Sequence, residues 1–336
     1  MQSMEEVLQG VERILHCFDL PFRLGERRLK VTASIGIAFG PDDDDNISEL
    51  LRRADTAMYH AKTTSLNRYS LFHDTMKEKV ARRLLIDECM YGALEHGEFE
   101  VHYQPKIAFS TRKIMGFEAL IRWHSDKLGP VSPNEFIMIA EHNGLIVDIG
   151  KFVLEQALQV LSLWQKTTKI PLNMAVNLSP VQFRDADLVD FITQTIAQSG
   201  ISNNSVELEI TEGVLMSGRR NVKESLHQLK ELGVRIALDD FGTGYASLSY
   251  LRNYPFDILK IDREFIKEIT ADNSDRKLAQ ATIAMANSLG LKVVAEGVEF
   301  EEQFAILSGY GCNYAQGFLF GKPVSADETT VLLKKI

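Results

Sequence analysis

Residues 234–242 read VRIALDDFG, and this stretch decides the fold. A short apolar run of strand length ends on two adjacent carboxylates, Asp239 and Asp240, and a glycine follows at once. The same construction recurs on both sides. Glu118 closes IMGF, Asn177 closes MAV, Glu209 closes VEL, Lys260 closes DIL and Glu296 closes KVVA. Helix-length amphipathic stretches lie between most of these runs, so they read as parallel strands in βα units. One polar residue at a strand end means little. A carboxylate, amide or lysine at the end of six strands is the pattern of a barrel that gathers its chemistry at its carboxyl rim. Oxygen ligands converging from several strands suit hard cations such as Mg²⁺ or Mn²⁺.

Working outward, eight strand candidates run from residue 99 onward: FEVHYQPKIAF, IMGFEALIRW, MAVNLS, VELEITE, VRIALDDFG, FDILKID, LKVVAEGV and YAQGFLFG. Helix candidates between them include FVLEQALQVLSLWQK, DLVDFITQTIAQSG, NVKESLHQLKELG, KLAQATIAMANSLG and EEQFAILSGYG, several ending on the glycine expected of a C-cap. The first two strands are separated by little more than STRK, too short for a helical crossover. They should form a hairpin, which makes one barrel strand antiparallel. The expected class is α/β: a TIM-like (β/α)₈ barrel with one antiparallel strand over 98–336, preceded by an α/β fragment over 1–73 and a helical connector over 74–97. Within the fragment, residues 4–18 and 47–63 read as helices and 21–31 and 32–40 as strand-like segments. The run Asp42–Asp45 reads as a solvated turn before a helix.

With 336 residues, the chain is long enough for one barrel and a smaller appendage. Hydrophobic residues make up 45% and charged residues 25%, an ordinary globular composition. A formal net charge of -9 argues against a general nucleic-acid or anionic-membrane surface, which calls for basic patches. It leaves room for a small anionic ligand, because bound divalent metals reverse the local charge. Cys17, Cys89 and Cys312 form no CxxC pair and fit a reducing compartment. No apolar run approaches the ~20 residues that cross a bilayer, and no signal-peptide core is visible. The expected location is cytoplasmic, with any membrane anchor of a longer parent lying upstream.

Seven motifs in order, FEALIRW, VNLS, LEITE, LDDFGTGYASLSYL, LKID, AEGVE and QGFLFGKP, make the stretch from about Asp87 to Ile336 resemble the EAL domain of bacterial cyclic di-GMP phosphodiesterases. The tripeptide Glu118-Ala119-Leu120 alone would carry nothing; the ordered set is specific. Residues 1–73 resemble the C-terminal half of a GGDEF (diguanylate cyclase) domain through VTASIGIAFG and LLRRADTAMYHAK. The GGDEF motif itself is missing, and Ser65 and Leu66 stand where that family has Gly and Arg, so this piece should be cyclase-inactive.

The resemblance implies hydrolysis of cyclic di-GMP to linear 5′-pGpG with two Mg²⁺ or Mn²⁺ ions per site. It makes Glu118, Asn177, Glu209 and Asp239 ligands of one metal, with Asp239, Asp240 and Glu296 serving the second. Lys260 and Glu296 would orient and deprotonate the attacking water, while Gln104, Leu120, Arg122 and Gln316 would meet the substrate. Glu212 and Glu299 would hold loops. It also implies a homodimer through the EAL domain. Each residue has a plainer reading: Asn177 as a turn or helix cap, Lys260 as a lysine reaching the rim, Arg122 in a surface salt bridge, and Glu212 or Glu299 as first-turn acids. In a straight strand Asp239 and Asp240 point to opposite faces, so both meet a metal only if the chain turns, which FGTG permits. Two functions of other kinds stay open: a non-catalytic cyclic di-GMP receptor, which should show lost ligands, and a metal-dependent barrel lyase or isomerase.

Overall fold

The computed structural model describes the chain except residues 1–3, 25–26, 30, 41–42, 44–45, 65–67, 169, 217–219, 243–247, 272 and 335–336. It divides into two compact units, Met1–Cys89 and Met90–Ile336. Among the described residues, no helix is long and apolar enough to cross a membrane.

The first unit opens with α1 (Met4–His16) and a hairpin of β1 (Phe22–Leu24) and β2 (Arg27–Leu29). Residues 21–31 are therefore two short strands and not the single segment expected; Gly25 is the turn signal in the sequence. Next come β3 (Ser34–Ile37), α2 (Ile47–Thr64) and β4 (Arg68–Leu71), which pairs parallel with β3 across the helix. The β4 strand was not among the expected elements. α2 lies so close on β3 that a Cβ at Gly36 would sit 1.9 Å from the Ala54 carbonyl oxygen. Ala57, Phe72 and Met76 form the local core. α3 (Thr75–Met90) follows and occupies most of the expected connector. Of the acidic run, Asp43 accepts the Phe39 N–H as a turn residue does; its neighbours, with Ser65 and Leu66, lie outside the described residues.

The second unit is the barrel. Strands β5 (Phe99–Ala108) and β6 (Ile114–Ser125) form the hairpin, and β7 (Gly129–Val131) adds to the edge of β6 outside the ring. The remaining ring strands are β8 (Asn173–Asn177), β9 (Val206–Thr211), β10 (Arg235–Phe241), β11 (Ile258–Ile261), β12 (Lys292–Ala295) and β13 (Tyr314–Gln316). Around the ring the order is β5-β13-β12-β11-β10-β9-β8-β6, closed by β5–β6. β5 runs antiparallel to both of its neighbours. The five-residue link, 109–113, cannot carry a crossover, and the ring closes around that exception. β13 is shorter than the expected 314–321 because the chain turns after Gln316.

Helices wrap the ring, and the long one, α4 (Ile146–Thr168), packs over β5, β6 and β8. It starts before the expected residue 152, where Asn143 Oδ1 accepts the Leu145 N–H. Its Trp164 is fully buried against Tyr103 and Phe117, with ring centroids 5.0 and 4.9 Å away, and its indole N–H donates to Thr330 Oγ1. Burying a ring this size contributes on the order of 3 kcal/mol. Such packing between helices and ring holds the strand ends in register.

Candidate active site

Inside the ring, Ala237, Ile258 and Val294 form an apolar layer with Tyr314 against it. Side chains alternate along a strand, so the next inward residue is two positions on. Those positions are Asp239, Lys260, Glu296 and Gln316. On the other side of the ring Asn177 lies beside Glu209 in register, and Gln104 beside Glu118. One apolar layer thus gives way within a single step to a wholly polar one at the carboxyl ends of the parallel strands.

Lys260 stands at the centre of that layer, 1% exposed. Its Nζ lies 2.6 Å from Glu209 Oε2, 2.7 Å from Glu296 Oε1, 3.1 Å from Asp239 Oδ2 and 3.7 Å from Glu118 Oε2. Burial pulls the lysine down, but Asp239, Glu118, Glu209 and Glu296 outweigh it and hold its pKa well above the usual value. It is an ammonium with carboxylate partners, not a lysine reaching solvent. Glu118 Oε1 accepts from Asn177 Nδ2 at 2.7 Å, and its Oε2 accepts from Gln316 Nε2 at 2.5 Å. Burial pushes the Glu118 carboxyl up, yet Lys260, Gln316, Lys106 and Asn177 together hold it below the usual range. Glu209, fully buried, goes the other way: burial and the Glu118 charge raise it against the pull of Lys260 and Lys106. Burial pushes Glu296 up to about 8, with Lys260 opposing and Asp239 and Glu118 adding to the rise.

The Asp239–Asp240 pair turns as both faces require, but at Asp240 itself. Asp240 has φ +55°, left-handed for a non-glycine residue, and the β10–β11 register shifts between Leu238 and Phe241. That conformation costs roughly 1–2 kcal/mol, and strain of this kind collects at functional sites. It brings carboxylate oxygens of Asp239, Asp240 and Glu296 within 4.8 Å of one another. Burial, then the Asp239 charge, raises Asp240 to about 6. The glycine loop expected to allow the turn lies largely outside the described residues; its entry is held by Glu212, whose Oε1 accepts the Gly242 N–H at 3.0 Å.

Above the polar layer opens a cleft of about 420 Å³. Gln104, Glu118, Leu120, Asp239, Lys260, Glu296, Glu299 and Gln316 line it, with Asn134, Asp262, Arg263 and Phe318, which sequence reasoning did not single out. Arg122 is not in that lining. It is half-buried further along β6, donates to the Ile121 carbonyl, and feels the charges of Glu118 and Glu100. Glu299 is exposed at the cleft edge. The backbone there is held by Gln303, whose Oε1 accepts the Glu299 and Phe300 N–H groups while its Nε2 donates to the Ile266 carbonyl. Gln303 was also missed; its burial, which calls for these partners, is a tertiary property with no local signal in the sequence.

A divalent cation fits this donor set. Five carboxylates (Glu118, Glu209, Asp239, Asp240 and Glu296) face one ammonium at this level, all offering oxygen. Gln316 Oε1 is buried with no hydrogen-bond partner among the described residues. Such a layer has an excess of acidic groups that a buried site keeps only by holding protons or by taking a counter-cation.

Comparison with known proteins gives the chain a family. The family model of the EAL domain matches residues 88–323, and that of the diguanylate cyclase GGDEF domain matches residues 1–68. The chain is 39% identical over 317 residues to the bifunctional diguanylate cyclase/cyclic di-GMP phosphodiesterase MucR of Pseudomonas aeruginosa, covering 94% of this chain and 46% of MucR. It is 36% identical over 314 residues to the cyclic di-GMP phosphodiesterase PdeR of Escherichia coli, covering 94% and 47%. The chain thus spans about half the length of the curated relatives it matches. Among solved structures, the PaMucR phosphodiesterase in its c-di-GMP complex matches with a TM-score of 0.70 at 40% identity, covering 73% of this chain and 99% of that one. The EAL domain of Mycobacterium smegmatis DcpA matches with a TM-score of 0.61 at 35% identity, covering 70% and 98%.

Proposed function

We propose that the chain, which belongs to the EAL domain family and carries a GGDEF fragment ahead of it, hydrolyses one phosphodiester bond of cyclic di-GMP to give linear 5′-pGpG. The observation that carries this reading is the polar layer itself: acid, amide and lysine side chains supplied by separate strand ends to one cleft. A receptor that only binds has no need of a buried ammonium hemmed in by carboxylates. A lyase would not need the Asn177–Glu118–Gln316 amide contacts.

Glu118, Asn177, Glu209 and Asp239 would hold one divalent ion, and Asp239, Asp240 and Glu296 a second; Mg²⁺ and Mn²⁺ suit the all-oxygen set. Bound there, the pair would supply a water acidified to nucleophile strength and neutralise charge on the phosphoryl oxygens. Glu296 would be the general base: burial raises its carboxyl to about 8 in the metal-free protein, and a bound cation would return it to the charged form that takes a proton. Lys260 fixes Glu209, Glu296 and Asp239 at once and adds positive charge where phosphoryl charge grows. Gln316 and Gln104 form an amide pair, 3.0 Å apart, that links the substrate side of the cleft to Glu118. Leu120 offers apolar surface to a base, and Arg122 serves a phosphate at the far edge. Glu212 holds the loop after Asp240, and Glu299 borders the cleft. The 1–73 segment lacks cyclase activity, the barrel pairs with a second copy, and the reaction takes place in the cytoplasm.

Incubation of the purified chain with cyclic di-GMP and Mg²⁺ or Mn²⁺, followed by chromatography, should show pGpG, at several protein concentrations to reveal dependence on pairing. Ca²⁺ should bind and inhibit, because its longer bonds and larger coordination number misplace the water. Tight binding of cyclic di-GMP with no pGpG under any of these metals would select the receptor reading.

A further inference from the structure

Below the polar layer the barrel holds a second set of charges that the proposed reaction does not use. Lys106 on β5 is 5% exposed, and its Nζ donates to Glu207 Oε1 at 2.6 Å and to Glu209 Oε1 at 3.5 Å. β5 and β9 are not neighbours in the ring; β6 and β8 lie between them on the shorter side. The lysine therefore reaches across the barrel axis. The interior leaves room for it: Gly116 is its own register partner, Ala175 that of Glu207 and Ala237 that of Glu209, where bulky branched residues usually fill a barrel.

We infer that Lys106 is a positioning residue, fixing the Glu209 carboxylate for the metal site from beneath. The inference rests on the metal-ligand reading of Glu209. Glu209 Oε2 is taken by Lys260 on the mouth side and Oε1 by Lys106 on the floor side. The terminal torsion of a glutamate is broad and roughly two-fold, so one partner leaves the carboxylate plane free to turn. Two ammonium groups on opposite oxygens fix it. Neutralising Glu207 is not a sufficient account of Lys106, because Arg235 is the register partner of Glu207 on β10 and adds a second positive charge there.

The test is K106M/E207Q, which removes the ammonium and its main counter-charge together. Net charge is unchanged. Mn²⁺ binding to the metal-free protein by calorimetry, melting temperature and the kcat–KM split for cyclic di-GMP are measured beside wild type and E207Q. Expected is a melting temperature near wild type, with Mn²⁺ affinity and kcat lower by about ten- to hundredfold, the scale of losses when a ligand's supporting partner is removed, and KM little moved. E207Q, which keeps the Lys106–Glu209 contact, should stay within about threefold of wild type. Recovery of Mn²⁺ affinity along with melting temperature in K106M/E207Q overturns the assignment, as does an E207Q loss equal to that of the double variant. If the double variant does not fold, K106Q/E207Q, too short to reach Glu209, repeats the measurement. A wild-type chain that neither binds Mn²⁺ nor forms pGpG instead removes the metal-site reading on which the inference stands.

Discussion

The two ends of the barrel axis bury charge in opposite ways. At the floor, Glu207 has Lys106 at 2.6 Å and Arg235 beside it in register, so its charge is met locally. At the mouth, Glu118, Glu209, Asp239 and Glu296 share Lys260 with Asp240 beside them, and Glu209, Asp240 and Glu296 are all raised, burial being the largest cause in each. A closed ion pair adds little net stability, since its attraction mostly offsets its desolvation. An unmatched cluster costs stability and persists where something else completes it. The contrast separates scaffold from chemistry better than burial does, because Lys260 and Glu209 at the mouth are as buried as Lys106 and Glu207 at the floor.

Breaking the mouth should cost the most. Glu118→Ala should remove pGpG formation by well over about a hundredfold, the upper end of losses seen when only a ligand's supporting partner is lost. The fold should stay intact, because the residue lies at the barrel rim and not in the packed core; turnover within tenfold of wild type would sink the two-metal assignment. Lys260→Met should cut the rate by orders of magnitude with little change in substrate affinity measured in Ca²⁺, since its charge matters as phosphoryl charge develops. The same variant should melt lower than wild type without metal and regain more stability from Mn²⁺, because carboxylates deprived of their ammonium gain more from a cation.

The mouth should also announce itself by pH. Glu296 at about 8 and Asp240 at about 6 lie above ordinary carboxylate values, so the folded metal-free protein holds protons that the unfolded chain releases. Their contribution is fully present below the ordinary values of 3.8 for the aspartate and 4.5 for the glutamate, and is lost as pH rises through about 6 and about 8. In EDTA the melting temperature should fall from pH 5.5 to 8.5, and Mn²⁺ affinity should rise over the same span because metal displaces those protons. A flat melting profile in EDTA would show that the cluster is not strained by unmatched charge. The smallest effect belongs to Arg122→Ala. It should weaken cyclic di-GMP binding by about tenfold and lower kcat less, as a phosphate clamp acting on ground and transition states alike does. Its place outside the cleft lining makes an unchanged dissociation constant the outcome that would strike it from the substrate contacts.

Much of this was legible in the chain. The strand ends at Glu118, Asn177, Glu209, Asp239, Lys260 and Glu296 could be read because alternation along a strand is a local property that survives any arrangement of the rest. The antiparallel hairpin was equally local, since so short a link cannot span a crossover. Gln303, Asn134 and Phe318 could not be read this way. Their roles come from helices and loops folding back over the rim, which no short-range period records.

What the sequence determined by itself was therefore the class of fold, the set of side chains raised to the rim and their oxygen-rich chemistry, all encoded within runs of a few residues. Tertiary structure alone decided how those groups pair. That Lys260 answers to Glu209, Asp239 and Glu296, that Asp240 turns left-handed to join them, and that Lys106 crosses the barrel to Glu207 all depend on ring closure. These are contacts between residues far apart in the chain. Their energies depend on distance and burial, two quantities that exist only once the ring has closed.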